Sequence, residues 1–94
     1  MMAGMKIEHR HGDGRFEADV EGGRAECAYR LQGRVMDIVH TEVPRQAEGH
    51  GVAAQLVRAA LAHARENGFK VRPSCSYVRA YMRRHPETQD LLES

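Results

Sequence analysis

Only two cysteines occur in the 94 residues, at positions 27 and 75. Neither belongs to a Cys-x-x-Cys pair, so no zinc site or disulfide framework is indicated, and a reducing, cytoplasmic setting is the default expectation. No apolar run approaches the ~20 residues that a bilayer-spanning helix needs. The start, Met1-Met2-Ala3-Gly4-Met5, lacks the apolar core of a signal peptide. Charge of one sign is also missing. The 14 basic and 13 acidic side chains are interspersed and leave a net +1, which argues against a chain built to bind nucleic acid or a membrane surface. Repeats, low-complexity runs and long linkers are absent. What remains is a globular composition, 41% hydrophobic, and the expectation is a single domain over residues 1–94 with one modest core.

The first third reads as an antiparallel meander. Arg15 to Glu21 alternates, with Phe16, Ala18 and Val20 on one face and charges on the other, the pattern of a half-buried strand. Gly22-Gly23 suits a two-residue hairpin turn. The partner strand runs from Ala25 to Leu31, with Ala25, Cys27, Tyr29 and Leu31 facing in. An earlier strand lies near Lys6 to His11, and a fourth covers Val35 to Val43, ended by Pro44, which lacks the N–H a ladder requires. A helix is expected from about His50 to Asn67, with Val52, Leu56, Val57, Ala60, Leu61 and Ala64 as its apolar stripe. Asn67-Gly68 stops it. Phe69 to Arg72 forms a short fifth strand, parallel to the fourth because a helix separates them. A second helix, about Ser76 to Arg84, turns Val78, Tyr81 and Met82 inward.

Between the fourth strand and the first helix lies Gln46-Ala47-Glu48-Gly49-His50-Gly51. Strand, glycine turn and helix N-terminus together make a phosphate-holding device. The first-turn N–H groups lack intrahelical partners and carry the positive end of the helix dipole. Glycines let that backbone approach a diphosphate. The turn points to a phosphorylated cofactor.

Few residues qualify for chemistry. Cys75 falls at the carboxyl end of the fifth strand and at the start of a helix, where ligands gather and thiolates are favoured. Cys27 reads as a small core hydrophobe. His40 and Glu42 share a strand face, so Glu42 could orient His40 as a general base. His9 and His11 read as surface histidines without a completing ligand, His63 as solvated, and no metal site is expected. Arg79, Arg83 and Arg84 form a basic face that a phosphate could meet.

His40-Thr41-Glu42-Val43-Pro44, Gly49-His50-Gly51-Val52-Ala53, Leu56 to Leu61, Cys75, Tyr81 and Arg84-His85-Pro86-Glu87 together resemble a GCN5-related N-acetyltransferase, more specifically the small, single-domain, YjdJ-like branch. The similarity covers nearly the whole chain. It implies a minimal acyl-CoA N-acyltransferase-like fold of the α+β class: a four-strand meander, a helix, a parallel fifth strand and a short C-terminal helix. It further implies acetyl-CoA as donor and an amine as acceptor. The pantetheine arm would pair with the fourth strand along Thr41 to Val43. The diphosphate would lie on the turn from Gln46 to Ala53, held by the amides of Gly49, His50, Gly51, Val52 and Ala53, with Tyr81 and Arg84 as further cofactor contacts. Cys75 would lie nearest the thioester. Glu48 and His50 depart from the residues common in relatives, where both positions are often basic. Ordinary members carry two helices between their first two strands; only Gly12-Asp13-Gly14 stands here, so the acceptor side is expected to be open and suited to a protein or peptide amine. Two alternatives stand beside the enzyme: a non-catalytic CoA-binding module, and an interaction domain that has lost the cofactor, which Glu48 favours.

Overall fold

The structure, a computed structural model, describes residues 5–94; the first four residues of the segment read for a leader lie outside it. Five strands form one sheet in sequence order: β1 (Glu8–Arg10), β2 (Arg15–Val20), β3 (Gly23–Gln32), β4 (Val35–Glu42) and β5 (Lys70–Pro73). The first four are antiparallel neighbours, and β4 pairs with β5 in parallel. Helix α1 (Val52–Asn67) makes the crossover and α2 (Ser76–Arg84) follows β5. This is the α+β architecture expected from the residue pattern and the resemblance. No helix of the described residues is long and apolar enough to cross a membrane.

Alternation explains the core. Phe16 pairs with Cys27 and Ala18 with Ala25 across the β2–β3 hairpin, and all four are buried. Against them lie Val52, Leu56, Val57, Ala60, Leu61 and Ala64 of α1, the stripe that helical periodicity picks out. Removing that apolar area from water is the main favourable term in folding. Gly68 ends α1 in the left-handed region at φ +71°, and the Phe69 N–H closes the end on the Ala64 carbonyl at 2.8 Å.

Several boundaries shift for physical reasons. Gly51 sits at φ +75°, outside helical geometry, so α1 begins at Val52 and not at His50. The first strand is only Glu8–Arg10, because His11–Asp13 turns as a 3₁₀ helix. Leu31 keeps its register opposite Met36 but is 49% exposed, being near the hairpin end where no helix covers it. Pro86–Leu91 coils into a further 3₁₀ turn. There the Thr88 hydroxyl donates to the His85 carbonyl at 2.7 Å and the Gln89 amide to Met82 at 2.6 Å, satisfying the end of α2.

Away from the helices the sheet carries charges. Glu17 is buried there, with Arg10 and Arg24 donating to it at 2.8 Å and Arg15 Nε 2.9 Å away as an ion pair without hydrogen-bond alignment. Burial opposes ionisation of Glu17, but the Arg10 and Arg24 hydrogen bonds and the charges of Arg15 and Arg24 hold it below the usual glutamate range. His9 lies on the helix side, stacked on Phe16 at 4.0 Å. Burial, then the charges of His11 and His63, lowers it to about 4.

Both groups make acid destabilising, in two steps. An unfolded histidine titrates near 6.5, so as pH falls from there towards 4 the unfolded chain takes up a proton that folded His9 refuses. Glu17 is depressed in the fold, so its contribution is present above its unfolded pKa and is lost below about 4.5. The urea midpoint, measured with a chelator present, should decline below pH 6.5 and fall more steeply below 4.5. The His9 part amounts to something on the order of 3 kcal/mol. A midpoint flat from pH 7 to 4 would contradict this assignment.

Candidate active site

The parallel pairing of β4 with β5 runs from Val35–Lys70 to Ile38–Pro73 and then stops. After it, the Cys75 N–H bonds to the Ile38 carbonyl at 2.9 Å, and Ser74 donates to Asp37 at 2.6 Å. These contacts pin the chain where the two strands part. Beyond them β4 continues to Glu42, paired only with β3. The β4 edge past the Cys75 junction therefore has backbone groups free to bond an extended ligand.

The register slips in this stretch. Ile38 opposes Tyr29 while His40 opposes Ala28, so Val39 is a bulge. Before it, Met36 and Ile38 point into the core. After it, Thr41 opposes core-facing Cys27, and His40 and Glu42 turn to the charged face. The bulge thus sends Thr41 to one side of the free edge and His40 to the other.

On the helix side, Cys75 is the N-cap of α2, and its Sγ lies 3.6 Å from the Thr41 hydroxyl. Burial opposes the thiolate. The Val78 N–H, the Thr41 hydroxyl, the Tyr77 N–H and the Thr41 backbone outweigh that and bring the thiol below its ordinary pKa. Cys27 is the opposite case. It is fully buried, and burial, reinforced by the charges of Cys75 and Glu26, pushes its pKa up to about 12. Iodoacetamide should therefore label Cys75 in the native protein and reach Cys27 only after denaturation. Rapid native labelling of Cys27 would reverse the assigned strand faces.

On the charged face, His40 Nε2 is 3.3 Å from Glu42 Oε1 and 3.9 Å from Glu26 Oε2. Ligand atoms of these three residues lie within 4.8 Å of one another. His40 and Glu42 are therefore together, but they do not touch Cys75; the β4 edge separates them.

The glycine turn sits at the far end of that edge. Val43, Ala47, Glu48, Gly49, Gly51, Val52, Ala53 and Tyr77 line a cavity of about 360 Å³ there. No side chain caps α1, and its first backbone bond is the Gln55 N–H to the Gly51 carbonyl at 3.1 Å. The N–H groups of Val52, Ala53 and Ala54 remain free. Gly49 and Gly51 are in the left-handed region, at φ +83° and +75°, and a Cβ on either would meet no protein atom. By contrast, a Cβ on Gly14 would strike the Tyr29 carbonyl at 2.5 Å. The space above Gly49 and Gly51 is thus free of protein, and Val52 and Ala53, whose N–H groups have no intrahelical partner, line the same cavity.

Other candidates are placed less directly. The Gln46 side chain lies over Gly22 of the first hairpin. His50 is exposed in the turn. Tyr81 is buried, stacked on His85 at 4.0 Å, and lines a different cavity, with Arg58, Leu61 and Leu91. Arg84 is exposed and near enough to Tyr77 to act on its phenol electrostatically. Tyr77 also lines the cavity of the glycine turn, a placement that nothing in the local sequence pattern signals. Burial, then Tyr81, keeps its phenol neutral well above neutral pH, with Arg84 opposing.

A mixed sheet whose one parallel pair parts beside a glycine turn and a free helix N-terminus defines the acyl-CoA N-acyltransferase-like class. The profile of the GCN5-related N-acetyl-transferase family matches residues 15–91, and the chain belongs to that family. It is 33% identical over 90 residues to Protein NATD1 of Mus musculus, covering 93% of this chain and 82% of that protein. Protein NATD1 of Danio rerio is 28% identical over a similar span. A GCN5-like protein of Staphylococcus aureus, known from a solution structure, superposes with a TM-score of 0.77 at 30% identity, covering 99% of this chain and 92% of that one.

Proposed function

We propose that this chain binds acetyl-CoA along the free β4 edge and transfers the acetyl group to an amine that approaches from the charged face. What supports this is one alignment: the glycine turn with its open donors, the unpaired edge from Val39 to Val43 and the Cys75 thiol follow one another along β4. When bound, acetyl-CoA supplies an activated acetyl thioester. The amides of Gly49 to Ala53 hold the diphosphate, and Thr41 to Val43 orient the arm. The Cys75 thiolate, favoured by the Val78 N–H and the Thr41 hydroxyl, attacks the acetyl carbonyl carbon. That attack would release CoA as a thiolate, which solvent would protonate. An amine would then attack the acetyl-cysteine, the carbon–sulfur bond would break, the Cys75 sulfur would leave as its thiolate, and His40 would take the amine proton. Direct attack on the CoA thioester uses the same His40 without the covalent step. Among the described residues no helix pair covers the charged face near His40, which suits a protein or peptide amine.

A second reading keeps the fold without the cofactor, and Glu48 favours it, because its carboxylate lines the cavity meant for a diphosphate. Amide NMR during titration with CoA decides between them. Saturable shifts at Thr41–Val43 and Gly49–Ala53 support CoA binding on this edge, and release of CoA thiol in the presence of amines then separates the enzyme from a non-catalytic CoA-binding module. Unmoved amides at millimolar CoA support the interaction domain.

A further inference from the structure

At the opposite edge of the sheet, His9, His11 and His63 present ring nitrogens within 4.8 Å of one another. We propose that these three histidines form a binding site for a divalent metal ion of borderline softness, of which zinc is the representative. The sequence hid it, since His9 and His11 flank the end of β1 while His63 comes from α1, three residues past buried Ala60. His63 is half-buried rather than fully solvated: its ring stands edge-on to His9 at 4.4 Å and lies beside Phe69 at 6.1 Å.

Two of the rings are held in place. His9 is stacked on Phe16, and its Nε2 is hydrogen-bonded to the Tyr29 hydroxyl. The tautomer that donates from Nε2 leaves Nδ1 with a free lone pair. A second-shell oxygen fixing a ligating imidazole is the usual support of a metal site. His63 accepts a hydrogen bond at Nδ1 from the Asn67 amide at 3.3 Å, which leaves Nε2 as its ligand atom. On binding, its proton passes to Nδ1 and that long contact is given up, while the Asn67 amide keeps its bond to the His63 carbonyl at 2.8 Å. His11 is exposed, on the 3₁₀ turn, with its ring centroid 3.7 Å from that of His9. It is free to rotate.

The geometry is near what a metal needs. Tetrahedral coordination with bonds of ~2.1 Å puts nitrogens about 3.4 Å apart, so ring nitrogens now within 4.8 Å of one another have to close by roughly 1.4 Å at most. Three imidazoles with no thiolate or carboxylate in the cluster suit zinc, copper, nickel or cobalt over calcium or magnesium. The neighbouring guanidiniums are engaged elsewhere: Arg10 with Glu8 and Glu17, Arg15 with Asp13, Glu17 and Glu26. The fourth position faces solvent. Four strand spacings, about 19 Å, separate β1 from β5, so this site is distinct from Cys75 and its occupancy does not depend on CoA.

Calorimetric titration of the chelator-treated protein with zinc chloride tests the proposal. One equivalent should bind. His11→Ala, an exposed substitution that leaves the core intact, should weaken binding roughly 100-fold or more, as should His63→Ala. Tyr29→Phe should weaken it by about 10-fold through loss of the hydrogen bond to His9. His40→Ala should not change this equivalent, because the Glu26–His40–Glu42 cluster lies on the other face. Substituting cobalt should give the intense visible bands of a tetrahedral ion, lost in His11→Ala. No saturable binding, or binding unaltered by His11→Ala and His63→Ala but lost in His40→Ala, would overturn the site.

Discussion

Replacing Cys75 with alanine should abolish the covalent acetyl adduct and lower acetyl transfer by ~100-fold or more, while CoA affinity stays within about 3-fold. The asymmetry follows from the geometry. The CoA-binding groups proposed above are backbone N–H and C=O groups of the β4 edge and the glycine turn, which a side-chain substitution at the N-cap of α2 leaves in place. The thiol is the only side chain of the described residues near the parting of β4 and β5 with a nucleophile favoured as its anion. One thioester replaces another in the exchange, so the step needs little driving force. Stability should change little, because Cys75 is only partly buried and its N–H, which bonds Ile38, is kept. Transfer at the wild-type rate in Cys75→Ala would exclude the covalent route. The amine would then attack the CoA thioester directly, with His40 as base, and His40→Ala would carry the defect.

The double variant Gly49→Val, Gly51→Val should lose measurable CoA binding by calorimetry, with the far-UV circular dichroism still that of a folded chain. The glycines matter in two ways. Both occupy left-handed backbone that a β-branched residue enters at a cost of about 1–3 kcal/mol. Both also leave open space where a Cβ would project towards a diphosphate. Asparagine separates the two effects, since it tolerates the left-handed region but still fills the space. Gly49→Asn, Gly51→Asn should therefore keep most of the thermal stability and still bind CoA at least about 10-fold more weakly. Undiminished affinity in the asparagine variant would remove the diphosphate from the 46–53 turn.

What the sequence makes legible is whatever depends on local period and turn chemistry. The stripe from Val52 to Ala64 is a pattern at 3.6 residues, and the six buried positions of α1 follow it residue for residue. The hairpin is legible one residue off, since its two turn residues are Glu21-Gly22 while Gly23 already pairs with Val20 in β3, and the Gly68 stop lies where the left-handed residue ends α1. Cys75 comes to its position because strand, turn and helix are consecutive. The bulge at Val39 is a different matter. His40 has the same parity as buried Met36 and Ile38, so alternation alone would have turned it into the core; one extra residue in β4 turns it outward. Gln46 belongs to the turn in sequence, yet its side chain lies over a hairpin 24 residues earlier, at Gly22. The contacts of His63 are similarly remote: they come from β1 and β2, and a helical wheel shows only that it borders the stripe. Tyr77 is missed for the same reason. Its cavity is built by the 47–53 turn, and periodicity gives no sign that α2 packs beside it.

Intact-protein mass spectrometry after incubation with acetyl-CoA tests the proposed function most directly. The account predicts a mass increase of one acetyl group on the wild-type chain, mapped by digestion to Cys75, removed by an added amine acceptor or by hydroxylamine, and absent from Cys75→Ala. An unmodified protein that also releases no CoA thiol in the presence of amines would contradict it.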